Sequence, residues 1–153
     1  MLKLTEEINS FTEEYKFLSN FYPSKVKVDG IWYPTAEHAY QASKTLYPHL
    51  RKRIANLDSP AKAKKEGQKL KLRENWEENK ISIMFWIVLF KFDENKDLKK
   101  KLLSTGNAIL IEGNTWNDTF WGVCKGKGEN NLGKILMEVR KILKDKGEYN
   151  EKT

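Results

Sequence analysis

The 153-residue chain has one cysteine, two histidines and four prolines. A lone thiol, Cys124, makes no internal disulfide and fits a reducing compartment. His38, His49 and Cys124 lack metal-ligand spacing, so no metal is expected. Cys124 also has no evident His partner, which argues against a cysteine nucleophile. No apolar run approaches the ~18 residues of a membrane span. The longest, residues 81–90, is interrupted by Ser82. The first seven residues lack the apolar region of a signal peptide, and the expected location is cytoplasmic. Gly122, Gly126 and Gly128 have no strand–turn–helix order around them, so they form neither a P-loop nor a dinucleotide fingerprint. No cofactor is expected. With no repeat and no linker, a single domain over residues 1–153 is expected, its core at about 11–146.

Acidic residues are scarce in one place. Across residues 44–73, ten Lys and Arg stand against Asp58 and Glu66, while the whole chain carries +7. The net charge therefore sits almost entirely in that segment. A basic segment suits an anionic partner: a nucleotide, a phosphorylated sugar or a nucleic acid. A lysine-rich solvated surface would have the same composition.

Periodicity and punctuation give the elements. Residues 1–16, with Ile8, Phe11 and Tyr15, suit an edge strand. Residues 17–23 are aromatic-rich and end in a turn. Asp29-Gly30 between β-prone runs at 25–28 and 31–33 predicts a hairpin. A short helix fits 51–57. Ser59-Pro60 reads as N-cap and first helical residue of a helix to about 72, with Gly67 marking an interruption or close packing. Residues 74–92 carry a stripe of Ile81, Met84, Phe85, Val88, Leu89 and Phe92. Trp86, Ile87 and Phe90 fill the other faces, so this is expected to be the most buried helix. A short helix at 97–103 is capped by Gly106. Residues 108–112 read as extended and 113–128 as loop. An amphipathic helix over 130–146 is closed by Gly147, and the charged residues after it are expected to fray. The fold class is mainly α, an α+β chain with a small hairpin.

Chemistry concentrates in Tyr33-Pro34-Thr35-Ala36-Glu37-His38-Ala39-Tyr40-Gln41-Ala42-Ser43-Lys44. Pro34 and Thr35 suit the start of a helix that runs from 36 to 46 and is stopped by Pro48. At about 100° per residue, Glu37, Gln41 and Lys44 share one face, with His38 to the side. Alanines, Tyr40, Trp32 and Tyr33 surround that face, so the helix should be buried. A buried carboxylate needs a partner. Glu37 and Lys44 form either a structural ion pair or the floor of a site. A carboxylate such as Glu37 can stabilise the charge that builds when a glycosidic bond breaks. Lys44 can bind phosphate or attack a sugar carbon as an amine. Asp118 lies in a Gly- and Trp-flanked loop, where binding residues often sit, or makes an Asx turn with Asn117. Trp76, Trp116 and Trp121 can stack a base, or pack as core. Asn20 and Phe21 can touch a sugar or base edge. His38 and Tyr40 also fit a core, and His49 a surface.

Three motifs in order, Phe17-Leu18-Ser19-Asn20-Phe21, the stretch from Tyr33 to Lys44, and Asn117-Asp118-Thr119-Phe120-Trp121-Gly122, resemble the NADAR family of YbiA-like N-glycosidases. The resemblance spans residues 17–143. It implies a single-domain YbiA-like multihelical fold. It implies catalytic roles for Glu37, Asp118 and Lys44. Substrate contacts are then expected from Asn20, Phe21, His38, Gln41, Trp76, Trp121 and Gly122. The implied activity is hydrolysis of the C1–N bond in a phosphorylated ribosylamino-pyrimidine of early riboflavin synthesis. The alternatives are removal of ADP-ribose from a guanosine-type base on nucleic acid, and a non-catalytic nucleotide or nucleic-acid binding module. The expected partner is thus a small phosphorylated ribosyl compound or an ADP-ribosylated nucleic acid, with no membrane, and the chain is expected to be a monomer.

Overall fold

Thr35 holds extended backbone (φ −144°, ψ 162°) and its hydroxyl accepts the His38 N–H, so the chain turns into a helix just after Pro34. The computed structural model describes residues 6–152. In chain order these form β1 (Glu7–Ile8), a 3₁₀ helix (Glu13–Leu18), β2 (Val26–Val28), β3 (Ile31–Tyr33), α1 (Ala36–Ala42), α2 (Pro48–Ala55), α3 (Pro60–Gly67), α4 (Trp76–Asp93), α5 (Lys96–Ser104), β4 (Ile109–Leu110), β5 (Gly113–Asn114), β6 (Val123–Cys124) and α6 (Asn131–Lys152). They fall into two compact units, one of residues 20–94 and one of the residues before and after it.

In the 20–94 unit, β2 and β3 pair antiparallel with Lys27 opposite Trp32. Asp29 and Gly30 turn the hairpin at φ 49° and 82°, the two positive values that a tight I′ turn requires. Every residue of α1 is buried. It ends at Ala42, short of the expected 46, because the Ser43 hydroxyl donates back to the Ala39 carbonyl (2.7 Å). Pro48 opens α2 rather than merely stopping α1, since an N1 proline gives up no hydrogen bond. The Ser59 hydroxyl caps α3 by accepting the Lys62 N–H (3.1 Å). That helix stops at Gly67, not at 72. A Cβ there would lie 2.0 Å from Gln41 Oε1, so the residue is both the end of α3 and its closest approach to α1.

The expectation that the 74–92 helix is the most buried is corrected by the structure. α4 covers Met84, Ile87, Val88, Lys91 and Phe92, but Ile81 and Trp86 are 44% and 51% exposed. Sequence hydropathy does not say which faces find neighbours, and α1, surrounded by α2, α3 and α4, holds the buried position. Lys91 lies in the α4 interior, its ammonium 5.0 Å from the Phe92 ring centre and 5.9 Å from that of Tyr22.

In the other unit, the edge strand expected near the start reduces to β1, which pairs parallel with β4 (Glu7 with Ile109). The part of that expectation at residues 1–5 lies outside the described residues. β5 and β6, inside the expected 113–128 loop, also pair parallel. The Asn95 side chain caps α5 by accepting the Leu98 N–H (3.1 Å). α6 buries Leu132, Ile135, Leu136, Val139 and Leu143. It passes through Gly147, which has no close neighbour, instead of closing there. The fraying expected after Gly147 is replaced by helix up to Lys152, and Thr153 lies outside the described residues. Among the described residues no helix is long and apolar enough to cross a membrane.

Candidate functional site

α1 brings Asn20, Glu37 and Gln41 together. Glu37 is 8% exposed. Gln41, one turn on, donates from Nε2 to Glu37 Oε1 (2.8 Å). The Glu37 N–H donates to the Asn20 carbonyl (3.0 Å), and the Asn20 amide rests against Met84 Sδ (3.4 Å). Among the described residues Gln41 Oε1 is buried without a hydrogen-bond partner, turned toward Gly67. The acid is therefore held at both its backbone and its carboxylate.

Lys44 is half-buried, its ammonium 5.8 Å from the Tyr40 ring centre. Burial holds its pKa below the usual lysine range, the Glu37 charge opposes that lowering, and the charges of Lys64 and Lys80 add to it.

Two of the expected substrate contacts also make structural contacts. Trp76 is 5% exposed and packs on Tyr40 with ring centres 5.4 Å apart. His38 is 1% exposed. Its Nε2 donates to the Leu57 carbonyl (2.9 Å), and its Nδ1 meets the Thr35 hydroxyl (2.7 Å). That pairing leaves the ring a structural tie between the start of α1 and the end of α2. Burial lowers its pKa, which suits a neutral ring. Phe21 is 41% exposed, in reach of a ligand. His49 is exposed, as expected.

The 117–122 motif lies in the other unit. Asp118 Oδ1 accepts the Phe120 and Trp121 N–H groups (3.1 and 2.9 Å). Asn114 clamps the same turn, accepting the Asp118 N–H (3.1 Å) and donating to the Asp118 carbonyl (2.8 Å). The Asx turn is therefore real, and one carboxylate oxygen is committed to it. Trp121 is half-buried with its ring edge-on to Phe120 (4.8 Å). Gly122 is needed by packing, since a Cβ would lie 2.2 Å from the Glu112 carbonyl oxygen, and a substrate contact is not required to explain it. Trp116 is exposed and Cys124 is a buried free thiol.

Sequence reasoning passed over Arg73. Its backbone N–H donates to the Lys44 carbonyl (2.8 Å), its Nη1 reaches the Ser43 carbonyl (3.5 Å), and its Nε is buried with no hydrogen-bond partner among the described residues. Its place at the end of the basic segment was the available signal.

The NADAR domain matches residues 8–144. N-glycosidase YbiA of Escherichia coli K12 is 40% identical over 137 residues, covering 88% of this chain and 85% of that protein. A riboflavin biosynthesis protein of Vibrio vulnificus is 37% identical over 142 residues, 90% of this chain but 38% of that protein. The NMR structure of E. coli YbiA superposes with a TM-score of 0.84 at 37% identity, covering 95% of this chain and 89% of that one. With the family model matching most of its length and a relative of the same fold, the chain belongs to the NADAR domain family.

Proposed function

We propose that this chain is an N-glycosidase hydrolysing the C1–N bond of a phosphorylated ribosylamino-pyrimidine, such as 5-amino-6-ribosylaminouracil phosphate. Water adds across that bond: its oxygen ends on C1, and the leaving nitrogen gains a proton. The C1–N bond stretches toward an oxocarbenium ion, and a fixed negative charge beside C1 stabilises that state more than the ground state. The observation that carries the reading is the buried Glu37 carboxylate anchored by Gln41. Relatives named N-glycosidase and riboflavin biosynthesis protein support the bond and the substrate class. The family match takes in residues of both units, which supports one functional domain. Lys44 either holds the phosphate or adds to C1 as an amine. Borohydride added during turnover leaves a sugar on Lys44 only in the second case. The test of the function is direct. Incubation with the ribosylaminouracil phosphate should release ribose 5-phosphate and the aminopyrimidine in equal amounts, and no release rejects the reading.

The basic segment at 44–73 favours a second reading, removal of ADP-ribose from a base on nucleic acid. Binding to such a polymer would weaken steeply with salt, whereas one phosphate gives a shallow slope. Salt-steep binding without turnover would mark a binding module instead.

A further inference from the structure

Past the end of α1, the carbonyls of Ser43, Lys44 and Thr45 lie beyond the reach of helical bonding. Arginines of later segments take all three. The Arg73 backbone N–H donates to the Lys44 carbonyl (2.8 Å), and its Nη1 to that of Ser43 (3.5 Å). Arg51 Nε donates to the Thr45 carbonyl (2.8 Å). On their other edge the same residues bond back to α1. The Lys44 N–H donates to the Gln41 carbonyl (3.2 Å) and the Thr45 N–H to that of Ala42 (3.3 Å). Lys44 therefore leaves a turn of chain that is bonded on both sides.

Arg51 is the tie with the widest span. It belongs to α2, and its side chain is only 11% exposed. While Nε holds Thr45, Nη1 donates to Asp29 Oδ2 (3.0 Å) in the hairpin turn. One planar fork thus joins α2, the β2–β3 turn and the residue after Lys44. A lysine carries a single ammonium and no such fork. The carbonyls past a helix C-terminus also carry partial negative charge, which suits a guanidinium. Lys44 itself has a flexible four-carbon stem. Its ammonium, 5.8 Å from the Tyr40 ring centre, is placed only as well as the backbone beneath it is held. Reacting groups tolerate little slack, since a misplacement of about 1 Å can cost about 10²-fold in rate.

We propose that Arg51 is a positioning residue: by holding the Thr45 carbonyl to α2 and the hairpin turn, it fixes the backbone from which Lys44 reaches the substrate. This role rests on the reading of Lys44 as a substrate group. Arg51 touches no reacting atom and acts through Lys44.

The variants are Arg51→Gln, which removes the fork and the charge, and Arg51→Lys, which keeps the charge alone. Ile54→Val, in the buried face of the same helix, serves as the control for general loosening of α2. Melting curves establish that each is folded. Trace acetylation with acetic anhydride, read by peptide mass spectrometry, gives the reactivity of Lys44 relative to the exposed Lys65. That ratio should change by about threefold or more in both Arg51 variants and stay parental in Ile54→Val. A parental ratio in either Arg51 variant, or an equal change in Ile54→Val, overturns the proposal. Turnover of the ribosylaminouracil phosphate gives the second readout. Arg51→Gln should lower kcat/KM by about tenfold, and adding it to Lys44→Ala should cost nothing further. Additive losses overturn the proposal and leave the N-glycosidase standing. A parent that cleaves nothing ends the N-glycosidase reading, and the acetylation ratio still decides whether Arg51 holds Lys44 in place.

Discussion

Replacing the Glu37 carboxylate by an amide keeps the side chain's shape and removes its charge. If that charge stabilises the breaking bond, Glu37→Gln should fold normally and bind within tenfold of the parent. Its kcat should fall by roughly 10²–10⁴, the scale of a positioned acid–base group. A purely structural ion pair gives the reverse, a lower Tm with turnover kept in the folded fraction. Melting and single-turnover rate on one preparation decide between them. The residues of this site were unequally legible in sequence. Glu37 and Gln41 stand four apart in a helix, so their hydrogen bond is a local event that spacing announces. The bond between His38 and the Leu57 carbonyl was not legible, because its partner lies 19 residues away. The packing of Trp76 on Tyr40 was not legible for the same reason, since it is a contact between helices.

At the scale of the element, the starts of α1 and α3 were readable from Thr35 and Ser59, because a cap is a bond between residues three apart; the Asn95 cap of α5 was passed over. The Asp-Gly hairpin was readable for the same reason. The parallel pairs β1–β4 and β5–β6 were not, because a two-residue strand has no period to detect and its partner can be distant in sequence. α4 shows the limit of hydropathy. It is apolar all round, yet one face looks outward. Phe92, fully buried, should therefore cost about 3–5 kcal/mol when cut to Ala. Trp86→Ala should cost about 1 kcal/mol or less, as a half-exposed ring loses little packing. Denaturant melts of the two variants should differ accordingly, and equal losses would mean that the helix is buried on both faces. A second test concerns the junction of α3 with α1. Gly67→Ala drives a methyl into Gln41 Oε1 and pushes the amide off Glu37. It should lower stability by about 1–3 kcal/mol. It should also reduce kcat at least tenfold in the folded fraction. Parental kcat would show that Gln41 does not position the acid.

At the scale of the whole molecule, Lys91 links stability to pH. Burial lowers its pKa from 10.5 to about 7. Between those values the unfolded chain holds a proton that the folded chain gives up, so stability rises with pH. The cost of burying the ammonium is fully present below about pH 7 and is gone above 10.5. The parent should therefore gain roughly 2 kcal/mol relative to Lys91→Met between pH 7 and pH 9. Comparing the two chains cancels the other titrating groups, and parallel curves would show that Lys91 keeps its proton throughout. The charge asymmetry of the chain was plain from sequence, but its division into exposed and half-buried cations was not, because that depends on which helices meet.

The absent side chain at position 67 has a mechanical meaning as well. With no Cβ to spare between α3 and Gln41, the two helices mesh like gear teeth: α3 has no room to slide or roll without moving the amide that grips the acid. A tether on an exposed residue of α3, at Lys62 or Lys65, would pull on Glu37 from a distance. Force applied there would detune the bond-breaking group before it unfolded the helix.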